Sequence, residues 1–87
     1  MLPGQEVVEQ GIEDLAARRE TVASLLVSIG APRLRTLGVV AESYWPDPER
    51  RLYDLLAAED ENSAHGRYNA LVRRLVSYER AAECAKR

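Results

Sequence analysis

Phenylalanine is missing from this 87-residue chain, and cysteine, histidine and tryptophan occur once each. The lone Cys84 excludes an intramolecular disulfide, and one histidine beside one cysteine leaves a structural zinc site short of its usual ligands. No window reaches the length of an apolar membrane span, and the start, MLPGQEVVEQ, has neither a basic region followed by an apolar run nor a small-residue cleavage site. These absences point to a protein with no membrane association, in a reducing cytoplasm. No glycine-rich phosphate loop is present, and Ser24, Ser28, Ser43 and Ser77 lie in no nucleophile motif. Neither a cofactor nor an enzymatic activity is expected. The formal charge of −2 argues against a nonspecific coat on nucleic acid, which depends on phosphate neutralisation.

What is present favours helix. Alanine, leucine, arginine and glutamate dominate, and 46% hydrophobic with 30% charged residues suits a compact fold rather than a disordered tail. The length predicts a single helical domain over 1–87, near the size at which association often supplies missing burial.

Val8, Ile12, Leu15, Val22, Leu26 and Ile29 recur at spacings of four and three, with Arg19 between Leu15 and Val22, so the pattern predicts one long amphipathic helix over about 5–29. Asp14 and Arg18 would pair one turn apart along it. Gly30 offers a left-handed stop and Pro32 a start for a short helix over about 32–37, closed by Gly38. Asp47, Pro48 and Glu49 signal another start, with the Asp47 side chain as cap, and predict a helix over about 48–59. EDENS is a polar break, after which Ala64, Tyr68, Leu71, Leu75, Tyr78, Ala82 and Ala85 predict a second long helix over about 63–86. The expected architecture is therefore an all-α small bundle of two long and two short helices.

Six acids and two arginines lie between Asp47 and Glu61, whereas six basic residues and two acids lie between Ala64 and Arg87. Attraction between those neighbouring helices is the simplest use. SAHGRYNALVRRLVSYERA gathers His65, Arg67 and two tyrosines, which would suit a metal-independent nuclease. Helical geometry points His65 and Arg67 about 160° apart, however, so they do not converge, while Tyr68 and Leu71 face the core and His65 reaches Asn69. Gly66 and Ala70 would let another backbone approach.

Arg19 is the departure from pattern: a cation in the centre of an apolar stripe either snorkels to water or pairs specifically when buried. Tyr44 and Trp45 precede Pro46 in a loop and suit a core cap or an interface anchor. Arg73, Arg80 and Arg87 form a stripe at seven-residue spacing that would face outward. Together Arg19, Tyr44, Trp45, Arg73, Arg80 and Arg87 are the candidate interaction residues. The corner around 21–38 resembles the helix, glycine turn, helix order of a DNA-reading motif, with Arg33 and Arg35 as candidate DNA contacts, although the second helix is short for that task. The leading expectation is a protein–protein interaction module that forms a homo-oligomer, with a dimer favoured, and that meets another protein. A DNA-binding regulator is the alternative.

Overall fold

A computed structural model describes residues 2–38 and 43–86. The described chain is all-α, without strands: α1 (Gln5–Ala16), α2 (Val22–Ile29), α3 (Ala31–Thr36), α4 (Pro48–Glu59) and α5 (Ala64–Lys86). The bundle is organised around α2. Ala23 through Ser28 are all buried there, as befits the run ASLLVS, and α2 packs against each of the other four helices. Val8 and Leu15 from α1, Leu34 from α3, Leu52 and Leu56 from α4, and Ala64, Leu75 and Tyr78 from α5 close around it as one core. Leu25, Leu26, Leu34, Leu52 and Leu56 are wholly inaccessible, and each such burial contributes about 2 to 3 kcal/mol.

The all-α expectation holds, but the helix expected over 5–29 is two helices. The chain turns between Ala16 and Val22, and α1 folds back on α2. Thr21 decides the break by forming a capping box. Its hydroxyl accepts from the Ser24 amide at 3.1 Å, while the Ser24 hydroxyl accepts from the Thr21 amide at 2.8 Å. Arg18 sits in the left-handed region at φ 60°, which reverses the backbone. Gly11 makes the return possible: a Cβ there would collide with the Ala23 carbonyl oxygen and a Val27 methyl. A continuous helix would leave the apolar sides of α1 and α2 without each other.

The other junctions correct the expected caps. Gly30 joins α2 directly to α3 at φ −84°, not in the left-handed region. Its lack of a side chain serves packing instead, because a Cβ would sit 3.0 Å from Leu75 methyls. Gly38, at φ 86°, does follow α3 in the left-handed conformation. Asp47 precedes α4 at φ 48° with no side-chain cap, and Pro48 with Glu49 supplies the start. Before α5, the Asp60 carboxylate accepts from the Asn62 amide at 3.1 Å and tightens the polar break. Along the seam between α4 and α5, the Tyr53 and Tyr68 rings meet at 5.9 Å and Arg67 pairs with Glu59 at 2.8 Å. That ion pair is the attraction expected between the acidic and basic segments. Burial, reinforced by Glu49, raises the Tyr68 phenol above its ordinary pKa.

Candidate interaction surface

Asp14 is the polar centre of the turn between α1 and α2. It is 4% exposed, and its Oδ2 accepts from the Thr21 hydroxyl at 2.6 Å. Its Oδ1 accepts from Gln10 Nε2 at 3.0 Å and from Arg19 Nε and Nη2 at 3.1 and 2.8 Å. The Thr21 hydroxyl, then Arg19, hold this carboxyl below the usual range against the effect of burial. Arg19 is neither a buried cation nor a snorkelling residue of a continuous stripe. It lies beyond the end of α1, its side chain is 53% exposed, and the buried member of its ion pair is Asp14. The expected Asp14–Arg18 pair is replaced by this one.

Arg18 serves Trp45 instead. Its guanidinium lies 5.7 Å from the indole centroid, as does that of Arg51, and its Nη1 donates to Ser43 Oγ at 2.6 Å. The half-buried indole donates from Nε1 to Ser24 Oγ at 3.1 Å, and the Trp45 amide donates to Ser28 Oγ at 3.0 Å. Trp45 thus covers the buried hydroxyls of α2 within one chain. Tyr44, also half-buried, packs against the core with the Arg35 guanidinium 5.9 Å from its ring. Both aromatics are engaged internally, and the capping arrangement accounts for their position.

The longest helix has a side that the bundle leaves open. Gly66, Ala70, Arg73, Ser77, Arg80 and Cys84 are all exposed along α5, and neither Arg73 nor Arg80 has an ion pair among the described residues. Arg87, the third arginine of the expected stripe, lies outside the described residues. Gly66 does not admit another backbone from among the described residues, since a Cβ there would meet open space. Beside this outer face runs a groove of about 260 Å³ between the α2–α3 corner and α5, lined by Ile29, Gly30, Pro32, Arg33, Val72, Leu75, Val76 and Glu79.

The groove is apolar except at one end. Arg33, from α3, forms an ion pair with Glu83 of α5, and both side chains are about half exposed. Glu79, one turn earlier, is 7% exposed and has no ion pair of its own among the described residues. Burial pushes its carboxyl above the usual range, and the Arg33 charge only partly offsets this. Among the described residues Arg33 thus pairs with Glu83 rather than with the more deeply buried Glu79.

No protein-family model, curated protein or solved structure matches this chain. His65 and Arg67 diverge as helical spacing requires: exposed His65 meets Asn69 at 3.2 Å, whereas Arg67 turns to Glu59. Among the described residues no three His, Cys, Asp or Glu side chains form a group able to hold a metal, and no helix is long and apolar enough to cross a membrane. For the DNA-contact residues, α3 has six residues, Arg33 is paired with Glu83, and Arg35 lies beside Tyr44.

Sequence reasoning passed over Ser24, Ser28 and Glu79. A Thr followed three residues later by Ser was the faint sign of the capping box. Glu79 follows Leu75 at i+4, which places it on the core side of α5.

Proposed function

We propose that this protein is a small helical interaction module that works by association of helix faces, first with a second copy of itself and through that assembly with another protein. A non-enzymatic role in the cytoplasm is part of the proposal. The observation that carries it is the division of α5 into an inner side that completes the core and an outer side bearing two exposed arginines without ion pairs among the described residues, next to an apolar groove. Helix-face burial supplies affinity in such modules, and charge complementarity selects the partner and its register.

Sedimentation across a wide concentration range tests the reading. The expected result is a reversible increase in mass that weakens with salt; a monomer at every concentration overturns it. The DNA-binding alternative draws support from the α2–α3 corner alone. It would gain ground if DNA retention fell steeply with salt and vanished on Arg33→Ala plus Arg35→Ala.

A further inference from the structure

We infer that a second copy of this chain docks antiparallel on the groove side of α5, about a two-fold axis at Val76, so that Arg73 of each copy reaches Glu79 of the other. The inference rests on the self-association reading and specifies which face performs it.

The flank of α5 beside the groove is self-complementary about Val76. Three residues before it stands Arg73, and three residues after it stands Glu79. Four residues before it stands Val72, and four after it Arg80; seven before it stands Asn69, and seven after it Glu83. Residues at i±3 and i±4 form the two surface ridges of a helix, and both ridges cross at Val76. An antiparallel two-fold pairs each position with its mirror. Val76 meets Val76, Val72 lies along the aliphatic stem of Arg80, Arg73 faces Glu79, and the Asn69 amide faces the Glu83 carboxylate. Every position then has a chemically matched counterpart, which is what an isologous interface requires. A parallel pairing would set Arg73 against Arg73.

The groove explains why Glu79 would be reached. Ile29, Pro32 and Val72 form apolar walls around it, so the methylenes of an incoming arginine are accommodated while its guanidinium meets the carboxylate. In one copy, Arg33 is already paired with Glu83. Glu79 has no ion pair among the described residues, so an arginine from the second copy would supply its cation, and a bidentate guanidinium is well suited to a carboxylate in such a site.

Disulfide trapping separates this register from others. With helix axes about 8 to 10 Å apart, two α-carbons facing each other across the axis come within disulfide range. Two Cys84 residues, each eight positions from the axis, lie about 24 Å apart along the helices and do not. The expected result is rapid oxidative cross-linking of Val76→Cys in a Cys84→Ser background, and no Cys84 cross-link in the unsubstituted chain. Arg73→Glu, on an exposed side chain that leaves the core intact, should weaken the dimer at least tenfold in sedimentation with unchanged helical circular dichroism. A dimer that forms but resists cross-linking at Val76→Cys, cross-links at Cys84, or ignores Arg73→Glu overturns the proposed face while leaving self-association standing. A monomeric unsubstituted chain overturns both.

Discussion

The Thr21 hydroxyl donates to Asp14 Oδ2 at 2.6 Å, across the turn where α1 gives way to α2. The same hydroxyl accepts from the Ser24 amide, so one oxygen caps α2 and ties it to the end of α1. Asp14→Ala removes the acceptor for Thr21, Arg19 and Gln10 at a buried site. We expect a loss of about 2 to 3 kcal/mol, the range for hydrogen bonds to charged groups, measured by urea unfolding. A loss below about 0.5 kcal/mol would mean that the turn is held by packing alone.

The acid dependence of stability follows from two carboxyls displaced in opposite directions. Asp14 lies below its ordinary 3.8 in the folded protein, so its stabilising contribution is complete above that value and is lost as pH falls through its folded pKa. Glu79 lies above its ordinary 4.5, so the ionised form opposes folding at neutral pH and that opposition disappears as pH falls through its folded pKa toward 4.5. Glu79→Gln should raise the melting temperature at neutral pH and confer no gain below 4.5, when measured at dilution where the chain is monomeric. Asp14→Asn should remove the part of the acid-side loss that falls below 3.8. Parallel stability profiles for Glu79→Gln and the unsubstituted chain would contradict the first assignment.

Two glycines separate packing from propensity. Gly11→Ala drives a methyl into the Ala23 carbonyl and Val27, and α1 must move away from α2 to admit it. The expected cost is about 1 to 3 kcal/mol, as for other overpacked positions. Gly66→Ala meets open space on the exposed side of α5 and should stabilise by about 0.5 to 1 kcal/mol through helix propensity. Thermal unfolding of both variants checks the pair, and equal signs would refute this account of the α1–α2 contact.

The helices α4 and α5 were legible because their boundaries are written locally. Pro48 can begin a helix, EDENS interrupts one, and the Ala64 to Ala82 stripe continues without a break. The turn between α1 and α2 was hidden because residues 17–21, Ala-Arg-Arg-Glu-Thr, contain no glycine or proline, and Val22 resumes the phase of Leu15 seven residues on. The Thr21–Ser24 box is local, written only in a Thr and a Ser three residues apart, and Asp14 meets Thr21 and Arg19 only once the chain has turned. Arg19 looked anomalous on a continuous stripe, and that anomaly marked the turn. The exposed arginines of α5 were readable from spacing. The groove beside them was not, because Ile29 and Pro32 come from a corner forty residues away in sequence.

Trp45 is the only tryptophan, so its fluorescence reports on its own hydrogen bond. Ser24→Ala deprives the indole N–H of its acceptor and dismantles the capping box, for an expected cost of about 1 to 2 kcal/mol and a change in emission maximum. Trp45→Phe should cost about 1 kcal/mol for the bond alone, with some further loss of packing. In the double variant the two effects should fall short of additivity by about 0.5 to 1.5 kcal/mol. Strict additivity would show that Ser24 acts solely through the cap.

Arg18 combines an unfavourable backbone with favourable side-chain contacts, and two substitutions take them apart. Arg18→Ala and Arg18→Gly both lose the guanidinium beside Trp45 and the bond to Ser43. They differ in the backbone, because φ 60° is strained for alanine and open to glycine. Arg18→Gly should therefore be the more stable by about 1 kcal/mol, even though glycine gives the unfolded chain more freedom. At an ordinary helical or extended position the order would be the reverse. Urea unfolding of the two variants under one set of conditions reads the difference directly, and an Arg18→Ala variant as stable as Arg18→Gly would show that the turn adopts another conformation once the arginine is gone.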